Sequence, residues 1–290
     1  MPSVIYTNTA SLAAQRNLLG AQNSLTTSVE RLSSGLRINR AKDDAAGLGV
    51  AESLQKQLNG IKQGIQNIND GISMAQTAEG ALAAVSEMAQ RMVTLATQGA
   101  NETLSKDQRT AIYNEISALK TAVNDVSKRT TFTGTALFAA NSLSIQVSNS
   151  STDAVTISAT ALAKISLGSG SATGNTLSTD ITAIGDALTA GVSAGITTAF
   201  KAVQTSAGAY LDAITAQRGE LGAFQNQLEY TVANLSDFST NLSAARSRVV
   251  DTDYASETAN LTKGQILQQA ATAMLAQANQ MPNVILTLMK

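Results

Sequence analysis

A sustained heptad pattern from Ile196 to Val249 constrains this chain more than any other feature. Apolar residues recur there at alternating spacings of four and three, and only Gln217 and Thr231 are fully polar. This pattern predicts one α-helix with a narrow apolar seam, about 80 Å long at 1.5 Å per residue. No charge lies on the seam, so we expect it to be buried against another helix. The seam positions that we assign to the buried core are Leu221, Phe224, Leu228, Leu235, Phe238 and Leu242.

The same rhythm predicts the partner helix, at about residues 45–98. Gly64 and Gly71 lie seven residues apart beside its seam. Glycine inside a helix costs up to about 1 kcal/mol relative to alanine. We therefore expect another backbone to approach this helix closely and offset that cost. The seam residues that we assign to its core are Leu58, Ile61, Ile65 and Ile68.

Two shorter helices and a different central segment complete the pattern. Ser105 with Gln108 fits a capping box, which predicts the start of a helix over 105–129. Residues 10–36 predict a weaker helix, which carries leucines every seven residues at Leu18, Leu25 and Leu32. Residues 141–195 are rich in serine and threonine and alternate apolar with polar residues around 148–153, which predicts a β-hairpin followed by a surface segment near 168–176.

The composition argues against an enzyme and against several kinds of binding protein. The chain has no cysteine and no histidine, so thiol chemistry and the usual general base are absent, and we expect no cofactor and no metal site. A net charge of −1 gives no basic field for nucleic acid, and no apolar run is long enough to cross a membrane. Residues 1–17 lack the charged start and apolar core of a cleaved signal peptide.

Clusters of acidic residues have simple structural interpretations. Asp43 and Asp44 are adjacent, so on a helix their side chains diverge by about 100°, and we expect them to start a helix or form salt bridges. Asp251, Asp253 and Glu257 lack the ligand number and the glycine of a calcium-binding loop. For Asp251 and Glu257 we expect ion pairs with arginine or lysine.

Motifs at both ends of the chain resemble those of bacterial flagellins. The resemblance covers roughly residues 1–140 and 196–290, and Arg40 stands where a small polar residue is more usual in the family. The matching motifs are Arg31–Gly35, Lys42–Gly47, Asn69–Leu82, Asn241–Glu257 and Gln277–Leu286.

The resemblance implies a mainly α fold, built as a long antiparallel helical hairpin or coiled-coil rod. A third helix and a small β-hairpin region join it, without large outer domains. It implies a terminal coiled-coil domain of residues 1–44 with 251–290, the inner core of a filament. A rod domain of residues 45–250 would contain a β-rich, variable segment at 131–195. The helices expected in the rod domain are at about 45–98, 105–129 and 196–249.

The resemblance also implies the function and the partners. The expected role is a structural subunit that polymerises into the extracellular flagellar filament used for motility, after type III export without a cleaved signal peptide. Expected partners are further copies of the chain, an export chaperone at the C-terminal tail, and the hook–filament junction and cap proteins. The alternatives are a hook–filament junction protein and a secreted, non-polymerising coiled-coil adhesin.

A second implied role is recognition by a host. Gln90–Ala96 and Asn114–Ile116 resemble the patch through which flagellins engage the innate-immune Toll-like receptor that detects them. Carried over residue by residue, the contacts would be Arg91, Leu95 and Glu115. Arg91 and Leu95 are four apart and so share a helix face. The competing interpretation is an ordinary ion pair on a solvated face.

Overall fold

The computed structural model describes residues 8–139, 142–150, 152–163, 165–167 and 172–288. Within these residues the chain is mainly helical, with two small antiparallel hairpins, and this confirms the predicted fold class. The elements are α1 (Thr9–Ser34), α2 (Ala45–Gly99), α3 (Lys106–Arg129), β1 (Thr131–Phe132), β2 (Thr135–Ala136), β3 (Leu143–Gln146), β4 (Ala154–Ile157), α4 (Ala172–Ala190), α5 (Ser193–Val250) and α6 (Tyr254–Leu288).

Contacts between residues divide the chain into two compact units. One contains Met1–Leu58 with Thr240–Lys290, and the other contains Asn59–Ser239. The division into a terminal domain of 1–44 with 251–290 and a rod domain of 45–250 stays a prediction.

In the second unit, α2 and α5 run antiparallel. Gly99 lies against the ring of Phe200, and Gly71 lies near the side chain of Leu228, so the residue numbers of the two helices rise in opposite directions. The heptad pattern therefore locates its partner correctly. Seam residues of α5 that are at most 5% exposed are Ile196, Phe200, Val203, Ala207, Tyr210, Ile214, Leu221, Phe224 and Leu228.

Not every predicted seam residue is buried. Leu58, Ile61 and Ile68 on α2 are buried, whereas Ile65 is half-buried. Toward the end of α5 the burial weakens: the exposed residue fractions are 9% at Leu235 and 47% at Phe238, and Leu242 is half-buried.

The predicted burial of Phe238 is therefore wrong for the single chain. An α-helix without a compensating supercoil drifts by about 20° per heptad. Phe238 lies six heptads beyond Ile196, where the accumulated drift would be about 120°. A regular spacing in the sequence does not guarantee that one partner covers the whole seam.

The β3–β4 hairpin packs on the glycine-containing face of α2. A Cβ on Gly64 would overlap the carbonyl oxygen of Val147, and a Cβ on Gly71 would overlap the side chain of Ile145. Asn67 Nδ2 also donates to the main-chain oxygen of Gln146 at 2.9 Å. The predicted close approach of a backbone to this helix is confirmed.

Alanine substitutions should distinguish a glycine of α2 that makes room for the hairpin from a glycine that has open space beside it. Gly64→Ala should destabilise the protein by about 1–3 kcal/mol, because the new methyl group must displace the hairpin. Gly80→Ala is the matched control, since a Cβ there meets no atom within 4 Å; it should stabilise by up to about 1 kcal/mol. Urea unfolding measures both changes. Equal stabilisation by the two substitutions would show that the hairpin does not occupy the space beside Gly64.

Helix α4 was not predicted. The sequence predicts a surface segment near 168–176, but residues 172–176 belong to this helix. Residues 168–171 lie outside the described residues. Leu177, Ile181, Ile184 and Leu188 follow a four–three–four spacing and are at most 6% exposed, and α4 packs on α3. The segment is helical because this short seam has a partner, despite its serine, threonine and glycine content.

The stretch between the hairpin and α4 is fixed by two polar side chains. The hydroxyl of Tyr210 donates to the carbonyl oxygen of Ile165, and burial raises the pKa of Tyr210, so it remains a neutral donor. Asn124 Oδ1 accepts from the Leu167 amide at 2.7 Å and from Ser166 Oγ at 2.9 Å. These contacts attach an irregular segment to α3 and α5.

Candidate functional site

The terminal helices α1 and α6 form an antiparallel pair in the first unit. Asn8 Nδ2 donates to the Ala278 carbonyl at 2.7 Å, while Arg31 near the other end of α1 lies 3.7 Å from Glu257 at the start of α6. The ion pair of Glu257 is the one expected from the sequence. Asp251 instead accepts from Ser247 Oγ at 2.6 Å.

The residues that α1 buries in this pair are small, whereas several large apolar residues of α1 and α6 are exposed. The buried residues of α1 are Ser11, Ala14, Ala21 and Ser28. The predicted leucine seam of α1 is only half-buried. Large apolar residues of the pair that are at least 48% exposed are Leu12, Leu19, Val29, Tyr254, Ile266, Leu267 and Met274.

An amphipathic helix usually turns its whole apolar stripe to a partner in the same chain, but here α6 only half-buries the leucine seam, and Leu12 and Leu19 lie outside it. Each large aliphatic side chain contributes about 1.5–3 kcal/mol when it becomes fully buried. The single chain therefore leaves much of its hydrophobic stabilisation unrealised on the terminal pair. Several large exposed apolar residues on one pair of helices make it a candidate interaction site.

The segments that flank the terminal pair are joined by main-chain contacts. The backbone amide of Arg37 donates to Val250 O at 2.6 Å, and its guanidinium donates to Val249 O, also at 2.6 Å. The amide of Thr252 donates to Gly35 O at 3.0 Å. A cation at the last carbonyls of α5 is electrostatically favourable. The flagellin-like motifs at 31–35 and 241–257 are far apart in sequence, and these hydrogen bonds hold them side by side.

The paired aspartates build the turn itself. Asp43 accepts from the amides of Asn39 and Arg40, and the hydrogen bond from the Arg40 amide holds the pKa of Asp43 below its usual value. Asp44 Oδ1 accepts from the Gly47 amide at 2.8 Å and so starts α2, as expected. Across the described residues, no three acidic side chains converge in a way that could hold a metal ion.

The predicted receptor residues are only partly brought together. Arg91 donates to Glu115 Oε1 through Nε at 2.9 Å and through Nη2 at 2.7 Å, and their side chains are 53% and 46% exposed. Leu95 is 1% exposed, so its prediction as a surface contact is wrong. It belongs to a buried group with Met92 and Ala96, because α2 buries a wider face here than a two-helix seam requires.

Comparison with known proteins decides the family. Residues 5–142 match the bacterial flagellin N-terminal helical region, and residues 204–289 match the bacterial flagellin C-terminal helical region. The chain belongs to the bacterial flagellin family. Members of this family are structural subunits of the flagellar filament, which is extracellular. The β3–β4 hairpin and α4 lie between the two matched regions.

Individual flagellins align with nearly the whole chain. The flagellin of Halalkalibacterium halodurans is 37% identical, covering 99% of this chain and 100% of that protein. The flagellin of Bacillus subtilis is 38% identical, covering 94% and 96%. Polar flagellin F of Vibrio parahaemolyticus is 35% identical over an alignment of 376 residues, covering 100% of both. Among the described residues, none of the flagellin helices has the length and apolar character that crossing a membrane requires.

Proposed function

We propose that this flagellin polymerises into the flagellar filament through the outward faces of α1 and α6. The observation that carries the proposal is the apolar surface that the terminal pair leaves exposed. The residues of α1 that are fully buried are small, whereas large apolar residues such as Leu19 and Met274 are each 61% exposed. Identical copies that cover these faces repeatedly generate an open helical polymer.

The proposal includes the route and partners of a secreted subunit. The chain would be exported and would act outside the cell in motility. An export chaperone would cover the apolar face of the C-terminal tail before assembly, and Ile266 and Met274 lie on that tail. Junction and cap proteins would contact the filament ends. The protein would have a structural rather than an enzymatic role.

Sedimentation tests polymerisation. Purified parent protein, seeded with sheared polymer, should form pelletable filaments. Ile266→Ser with Met274→Ser should reduce the pelleted fraction strongly, because two exposed apolar side chains are lost from the assembly face. The matched control is Val192→Ser, which removes an aliphatic side chain that is 59% exposed on the other unit.

The control protein should pellet like the parent. Parent protein that stays in the supernatant under all seeding conditions would contradict filament formation. That result would favour the junction protein or the non-polymerising adhesin.

A second function, recognition by the host Toll-like receptor, is favoured by the exposed Arg91–Glu115 pair. Two hydrogen bonds from the Arg91 guanidinium to the Glu115 carboxylate connect α2 and α3. Helix α4 reaches α3 on the side of Tyr113, where Gly185 lies against the tyrosine hydroxyl. Glu115 is about 200° around the helix from Tyr113, so α4 leaves this pair open to a partner.

Arg91→Ala should lower receptor signalling by monomers while leaving the melting temperature nearly unchanged. The pair is about half exposed, and exposed ion pairs contribute only about 0–1 kcal/mol. Arg129→Ala is the matched control, since Arg129 is also exposed and pairs with Asp125 at 3.6 Å. A dose–response assay on receptor-expressing cells measures the effect. Signalling that falls equally in both variants, or is absent in the parent, would argue against this surface.

A further inference from the structure

A groove runs between α1 and α6 and is lined by uncharged residues, which are small on α1 and include the larger Leu267 and Met274 on α6. Its volume is about 550 Å³, within the range of roughly 300–1,000 Å³ that is typical of binding pockets. Gly20 lines the groove, and a Cβ at this position would meet no atom within 4 Å. The other α1 residues of the lining include Ala10, Ala13, Asn17 and Ser24.

The opposite side of α1 carries two exposed leucines. Leu12 is 57% exposed and Leu19 is 61% exposed. At 100° per residue, both lie about 140–160° around the helix from the mean direction of the α1 residues that line the groove. One helix therefore presents an apolar groove on one face and aliphatic side chains on the other.

The chemistry of the groove selects an aliphatic occupant. No charged side chain lines it, so it offers nothing to an anion, a cation or a charged peptide. Alanine and glycine leave room for a branched side chain, and such side chains are available on the same helix of every copy. We propose that Leu19 of one copy inserts into the α1–α6 groove of the next copy, beside Gly20. This inference rests on the proposed polymerisation and names one contact that would drive it.

The placement of the two surfaces determines the kind of contact. A two-fold dimer needs one self-complementary patch, whereas a groove and a protruding residue on opposite faces give a head-to-tail contact. Each added copy then offers a fresh groove or a fresh leucine, so the contact propagates without closing. The two ends of the polymer differ, since one presents a free groove and the other free leucines.

Substitutions on each side of this contact test it in the full chain. Gly20→Leu places a side chain in the groove at a position where a Cβ meets no atom within 4 Å, and it raises helix propensity. Leu19→Ser removes the inserted side chain. Each variant should add to parent seeds on the order of tenfold more slowly or worse, since burial of one leucine changes an equilibrium by about that factor. Gly49→Leu is the control, because a Cβ there also meets no atom within 4 Å.

The outcomes separate this contact from polymerisation in general. Circular dichroism should show at least parental helix content in every variant. The double variant should be slowed no more than the slower single variant, because both changes act on one contact. Three results would each overturn the inference while parent filaments still form. The double variant could be slowed by the product of the two single effects, Gly49→Leu could inhibit growth equally, or Gly20→Leu could grow like the parent. A parent that never polymerises would instead refute the proposed function.

Discussion

Phe200→Ala is expected to lower the free energy of unfolding by about 3–5 kcal/mol, whereas Phe238→Ala on the same helix should change it by less than about 1 kcal/mol. Phe200 is 0% exposed and its ring lies against Gly99, so truncation leaves a cavity between α5 and α2. Phe238 is 47% exposed and its removal opens no comparable space. The two phenylalanines occupy one heptad pattern but have different environments.

Denaturant unfolding of the monomer measures this difference. The two variants are matched in chemistry, in helix and in the size of the deletion. A large loss for Phe238→Ala in monomer would show that a partner within the chain covers this ring. A small loss for Phe200→Ala would contradict the packing of α5 against the end of α2.

The second large effect is expected at Arg109, the largest charged side chain in the core. It is 2% exposed, and its Nη2 donates to Asn101 O at 3.0 Å while Nη1 points to Ser193 O at 3.4 Å. Asn101 follows closely after the end of α2, where the helix dipole favours a cation, whereas Ser193 is the first residue of α5. Arg109→Met should cost about 3 kcal/mol, because partly buried hydrogen bonds from a charged donor are lost.

Arg129→Met provides the control for Arg109→Met. Arg129 has the same side chain on the same helix, but it is 82% exposed and its pair with Asp125 spans 3.6 Å. Its loss should change stability by about 0.5 kcal/mol or less. Similar melting temperatures for the two variants would show that Arg109 does not hold the α2–α3 and α4–α5 turns together.

Periodicity predicted the parts of the fold in which a segment has its partner within the same chain. The four–three spacing located α2 and α5, and the capping box placed the start of α3 correctly, because the Ser105 and Gln108 side chains bond each other's amides as the motif requires. Alternation predicted β3 and β4. The cost of glycine in a helix predicted that another backbone approaches α2 at Gly64.

Pattern alone could not identify which partner covers an apolar residue. The leucines of α1 were expected to face a helix, and Leu25 does lie against Gly264 of α6, but the leucine seam stays half-buried because α6 covers it only in part. Leu95 was assigned to the surface because its burial depends on neighbouring packing that a two-helix seam does not include. Helix α4 was missed because its four-residue seam is short and lies among serine and threonine. In each case the deciding information is three-dimensional.

The attachment of the hairpin to α2 has a consequence for how this protein can diversify. Near Gly64 the hairpin contacts the helix through the main chain of Val147, and Asn67 bonds the main chain of Gln146. Main-chain contacts persist when side chains change. Ser144 and Thr156 pair across the strands and are exposed, so new residues there would alter the exposed surface of the hairpin without unseating it. Substitutions can therefore accumulate at these positions independently of the helical packing beneath them.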